Sequence, residues 1–192
     1  YYISVRGKID YLFSFSVLSF FIGEILHLIS REEFNVSGLI FLLIPYFIIL
    51  FFIFQDLIYY LKKKKINLNT FSFYIIVMLL VYLFFNALMM MIEENSFEFF
   101  IYSLYGILLL LMGILAFVML INYINRTILY TGFMVGCFLL SDLFFVFSKK
   151  IPDLLALKMI NVATQELSFF CYISYFVYRT KFKLYGKRDI QD

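Results

Sequence analysis

Three long stretches of this chain, 38–55, 71–92 and 99–125, contain no charged residue. Each reaches or exceeds the roughly 18 consecutive apolar residues needed to carry a helix across a bilayer. Buried helices of water-soluble domains rarely sustain such runs. Composition points the same way. Hydrophobic residues make up 64% of the 192 residues and charged residues 15%, against about 25% charged in a soluble globular domain. No water-soluble fold of this length hides so much Phe, Leu and Ile. The expected class is an all-α polytopic transmembrane bundle.

Hydrophobicity is continuous where a barrel strand would alternate, so the spans are helices. Six are expected, at 11–29, 37–61, 70–92, 99–122, 127–147 and 153–178, in one domain without internal repeats. The connections are short and polar. Pro152 stands where a helix begins, a position that tolerates its missing donor. Pro45 falls inside the second span and is expected to kink it. Cys137 and Cys171 lie within apolar segments and read as small packing residues. The start carries no cleavable signal pattern. It opens on Tyr1 rather than Met, as a portion of a longer product would.

The formal charge of +3 matters less than its placement. Arg6, Lys8, the lysines at 62–65, Arg126, Arg179, Lys181, Lys183, Lys187 and Arg188 fall on one side of the predicted bundle. Arg31, Lys149 and Lys150 fall on the other, beside Glu32, Glu33, Glu93, Glu94 and Glu98. The positive-inside rule then places both ends of this chain in the cytoplasm. The four lysines read as a topology anchor near anionic headgroups, not as a nucleic-acid patch. The bias toward Phe, Ile, Tyr, Lys and Asn fits an AT-rich bacterial genome, and hence an inner membrane.

Ionisable groups inside membrane helices are costly and mark function by default. Glu24, His27, Asp56, Asp142, Lys158 and Glu166 qualify. At about 1.5 Å per residue, Glu24 and Asp142 lie about 20 Å from the cytoplasmic side, at nearly one level. Lys158, Tyr46, Asn86 and Tyr105 fall near that level, while Asp56 and Glu166 lie deeper. A carboxyl group kept out of water favours its neutral form and can then act as a general acid. Plainer readings stand beside this one. Lys158 can simply neutralise Asp142, His27 can be solvated at the interface, and Asp56 can reach the cytoplasmic boundary. One histidine and scattered carboxylates do not make a metal site. A phosphate-cradling glycine loop and a G-x-S-x-G elbow are both missing from the sequence, so no cofactor is expected.

The order of short motifs resembles the membrane lysoplasmalogenase (YhhN) family. Phe21-Ile22-Gly23-Glu24-Ile25-Leu26, then Phe34 and Gly38-Leu39, is similar to its Gly-Asp-x-x-Leu helix and the Phe and Gly-Leu that follow. Phe138-Leu139-Leu140-Ser141-Asp142 is similar to its Phe-x-x-Ser-Asp signature, and Tyr105 and Met112 fit its Tyr and Met. The family aspartate is Glu24 here, its histidine is Tyr46, and its last-helix glutamine aligns nearest to Ser174. Family members usually have eight helices, so six spans would fit one lacking its first two.

The resemblance implies hydrolysis of the vinyl ether bond of a lysoplasmalogen, a lysophospholipid, to a fatty aldehyde and a glycerophospho head group. Asp142 and Glu24 would divide the acid and anion roles. Tyr46 and Tyr105 would orient the substrate, and Asn86, Ser141, His27 and Lys158 would complete its binding. The lipid would arrive sideways from the leaflet. Two readings compete: a non-catalytic subunit or lipid-binding sensor bundle, and a proton-coupled carrier, which lacks the expected pair of broken helices.

Overall fold

The computed structural model of the chain describes residues 10–29, 36–62, 71–90, 96–151 and 154–185. They form six helices: α1 (Tyr11–Ile29), α2 (Val36–Leu61), α3 (Phe71–Met90), α4 (Ser96–Asn122), α5 (Arg126–Lys150) and α6 (Leu155–Tyr185). No strand occurs among the described residues. The bounds follow the predicted spans closely, except that α6 runs on past Tyr178 to Tyr185. Pro152 and the lysines at 63–65 lie outside the described residues. α2 continues as one helix through Pro45.

Among the described residues, four helical stretches are long and apolar enough to cross a membrane: Gly38–Leu61, Phe71–Met90, Phe99–Asn122 and Arg126–Ser148. The apolar stretch of α1, Tyr11–Leu26, is shorter. α6 is long, but Lys158, Glu166, Arg179 and Lys181 interrupt its hydrophobicity. The outer surface is rich in large apolar side chains: Phe71 is 80% exposed, Met78 75% and Phe133 63%. Water does not tolerate so continuous an apolar surface, whereas hydrocarbon does.

Helix ends are set by short polar side chains. Asp10 Oδ1 accepts from the backbone N–H groups of Leu12 (3.1 Å) and Phe13 (3.3 Å), capping α1. Asn125 caps α5 by accepting from Ile128 N at 2.9 Å. The same residue donates through Nδ2 to Tyr60 Oη at 2.6 Å, tying the end of α2 to the α4–α5 turn.

α1 packs on α2, α2 on α4, α4 on α5 and α5 on α6, the last pair most extensively. The ring closes from α6 to α1 through side chains instead of backbone proximity. Ser16 and Tyr172 share a hydrogen bond, and the Phe13 and Phe176 rings lie 4.5 Å apart. α3 stands outside this ring, against α4 and, marginally, α5, and buries none of its residues. It is seated over glycines of α4. A Cβ built on Gly106 would come within 2.7 Å of the Phe84 ring, and one on Gly113 within 3.2 Å of Leu80. Gly106→Val is therefore expected to push α3 outward and cost about 1–3 kcal/mol. A lowered unfolding temperature in detergent would show it.

Close packing fills only one half of the bundle. Ile49 and Ile53, Met112 and Met119, Tyr175 and Phe176 are wholly buried there. In the other half the helices enclose a cavity.

Candidate functional site

Asp142 is at the centre of the polar groups in that cavity. It is the seventeenth residue along α5, well inside an apolar helix, and side chains from two other helices converge on it. Tyr46 of α2 donates its hydroxyl to Asp142 Oδ2 at 3.3 Å. Tyr105 of α4 donates to Oδ1 at 3.2 Å and Oδ2 at 3.1 Å. The two phenol rings are 4.7 Å apart, and Tyr46 also packs on Phe138 and Phe20. These aromatic contacts fix the phenols, and the phenols fix the carboxyl group. Neighbouring Ser141 donates to Asn161 Oδ1 of α6 at 2.8 Å.

The second acid enters from the opposite wall. Glu24, in the C-terminal third of α1, accepts a 2.6 Å hydrogen bond from Gln165 Nε2 of α6. Glu24 and Asp142 are near enough for their charges to interact, and both line one cavity of about 580 Å³. That volume is within the range of pockets that take one drug-sized ligand. Apart from these polar groups and Asn161 the walls are mainly leucine and phenylalanine, and no Lys, Arg or His lines them among the described residues. Among the described residues no cation is paired with either acid. Each is oriented by uncharged donors.

The expected polar layer is thus assembled in part. Glu24, Tyr46, Tyr105, Ser141 and Asp142 all line the cavity. Asn86 does not. Its Nδ2 donates to its own helix, at Tyr82 O (2.7 Å), and the cavity is lined instead by the neighbouring stripe of Leu80, Leu83, Phe84 and Ala87. Lys158 does not pair with Asp142. It is exposed in the first turns of α6, two turns before Gln165, and phenols take the place expected for it. The side chain of His27 lies outside the described residues. Glu166 is exposed beside Gln165.

Asp56 is buried between helices. It is 9% exposed and forms an ion pair with Arg179, 4% exposed, at 2.8 Å from Nε to Oδ1. Tyr175 Oη donates to Asp56 Oδ2 at 2.7 Å, Arg179 Nη2 donates to Gln55 Oε1 at 2.9 Å, and the guanidinium lies 4.4 Å over the Phe52 ring. This cluster joins α2 to α6 in the packed half, away from the cavity.

Two site residues escape a search for charge. Asn161 and Gln165 are uncharged amides, yet they stand four apart on one face of α6, where such pairs are helical neighbours. That spacing was the available signal. Gln165 is also a last-helix glutamine turned toward the acids, four residues on from Asn161 and well before Ser174. Among the described residues no group of three or more His, Cys, Asp or Glu is arranged to hold a metal ion.

Comparisons with known protein families, with characterised proteins and with solved structures return no match to this chain.

Proposed function

We propose that the chain crosses a bacterial inner membrane six times, with both ends cytoplasmic, and is a lysoplasmalogenase-like hydrolase of the vinyl ether bond of a lysophospholipid. The observation that carries this reading is that Glu24 and Asp142 face one apolar cavity, where uncharged donors among the described residues hold both of them. Gln165 adds support, since it supplies a glutamine from α6 to the acids.

The chemistry asks for what the cavity offers. A vinyl ether is hydrolysed when a proton is delivered to the alkene carbon remote from oxygen, leaving positive charge on the carbon bonded to oxygen. An anion close by lowers the cost of that charge. Water then adds to the same carbon and gives up a proton to a carboxylate. The resulting hemiacetal separates into a fatty aldehyde and the glycerol hydroxyl of the head-group fragment. One water is consumed. Two carboxyl groups in different surroundings can divide the acid and anion roles. Asp142 faces two phenol donors and Glu24 one amide, so their surroundings differ as such a division requires.

Aldehyde release from a lysoplasmalogen by the purified protein in detergent tests the reading, and no release by the wild type would sink it. The competing proposal, a non-catalytic lipid-binding bundle, keeps the cavity and loses only the reaction. Tyr46→Phe and Tyr105→Phe each remove one hydrogen bond to a charged acceptor, an interaction of about 1.5–3 kcal/mol. Each is expected to lower kcat about tenfold or more, with a smaller change in KM. Steady-state kinetics of the two single variants and the double variant check this.

A further inference from the structure

Five glycines of α1, α4 and α5 divide into two kinds. At Gly23, Gly106, Gly113 and Gly132 an added Cβ would meet a side chain of a neighbouring helix, so each glycine permits close approach. At Gly136 an added Cβ would meet nothing within 4 Å. Glycine is the poorest residue after proline for a helix interior, and here no helix–helix contact accounts for it. Yet Gly136 lies in the middle of α5 and lines the cavity.

Its surroundings show what the space opens onto. Gly136 is half-buried, and its helical neighbours Phe133 and Leu140 are 63% and 47% exposed, so it stands where the cavity wall meets the outer surface. The wall beside it is α3, which touches α5 only marginally and buries no residue. Leu80 and Phe84 of α3, with Leu139 and Leu143 of α5, line the cavity across that loose seam. Both helices are long and apolar enough to cross a membrane, so the seam faces hydrocarbon. From Gly136 to Asp142 the rise along α5 is about 9 Å, the reach from an apolar opening to the acids.

We propose that the seam between α3 and α5 at Gly136 is a lateral doorway, through which the hydrocarbon chain of a bilayer amphiphile lies while its polar end reaches Asp142 and Glu24. This rests on the cavity being a lipid site, as in the proposed function, but not on any reaction occurring there. The missing side chain leaves a notch for the chain, and the loosely held α3 forms its outer jamb. A bulky residue at 136 fills the notch from its base outward, because its Cβ starts in open space with nothing within 4 Å.

The test uses the full chain in lipid nanodiscs and a lysophosphatidylcholine with a diazirine in its acyl chain. Photolabelled peptides are mapped in the wild type, Gly136→Leu and Gly136→Phe. Labelling of the wild type is expected on 133–143 and on the facing part of α3, and is expected to fall by about tenfold or more within the cavity in both variants. Unfolding temperatures are expected to stay at or above that of the wild type. Cavity labelling at wild-type level in both variants would overturn the doorway, and so would a loss of stability in both, since the space would then not be open. Aldehyde release separates this from the hydrolase reading. Blocked labelling with no release by the wild type keeps the doorway and removes the hydrolase, whereas undiminished release by both variants does the reverse.

Discussion

Asp142→Asn is expected to lower aldehyde release by about 10²–10⁴-fold, the range contributed by a positioned acid–base group. The substitution keeps the shape of the side chain and leaves a carbonyl oxygen to accept from Tyr46 or Tyr105, whose hydroxyls lie 3.1–3.3 Å from the native carboxylate. It removes the charge and the capacity to exchange a proton. The loss should therefore fall on kcat, with the unfolding temperature close to that of the wild type. Glu24→Gln makes the complementary case, because Gln165 already donates to Glu24. If both variants keep wild-type turnover, neither carboxyl group takes part, and the cavity is a binding site only.

The second large effect is expected far from the cavity. Asp56→Ala leaves the Arg179 guanidinium in the interior without its carboxylate, with Tyr175 also losing its acceptor. Removing one member of a buried ion pair costs about 3–5 kcal/mol, because the remaining charge stays out of water. Replacing both members, as in Asp56→Leu with Arg179→Met, should restore much of that loss, since a well-packed apolar pair is often no worse than a buried ionic one. Reversible unfolding of Asp56→Leu, Arg179→Met and the double variant in mixed micelles measures the cycle, with Asp56→Ala beside them. Equal and additive losses would show that the pair is not coupled.

The helices were legible in the sequence where charge was missing. Four of the six predicted spans coincide with helices that are long and apolar enough to cross a membrane. α1 and α6 were legible as helices but carry a weaker membrane signal, α1 because its apolar stretch is short and α6 because it holds Lys158 and Glu166. Within the site, depth arithmetic brought Glu24, Tyr46, Tyr105 and Asp142 to one level, and the structure brings them to one cavity. That arithmetic fixes height and leaves the direction around the helix open. Asn86 has the right height and faces away from the stripe of Leu80, Leu83, Phe84 and Ala87. Lys158 fails differently: it stands in the first turns of α6, where nearly every side chain is exposed. Asn161 and Gln165 were passed over because an amide carries no charge to announce it. Asp56 shows its nearest helix end in the sequence and not its partner Arg179, which is more than a hundred residues away in the chain.

One face of α6 holds partners for three other helices. Asn161 holds Ser141 of α5, Gln165 holds Glu24 of α1, Tyr172 meets Ser16 of α1, and Tyr175 and Arg179 hold Asp56 of α2. From Gln165 to Arg179 is about 21 Å of continuous helix. A rigid rod gripped at one end by an ion pair sets the height of whatever it carries at the other. Loosening Arg179 therefore removes one of the holds that set the height of Gln165 and Asn161. A variant at Arg179 is expected to behave in kinetics as if the acids themselves had been misaligned, although it never touches them.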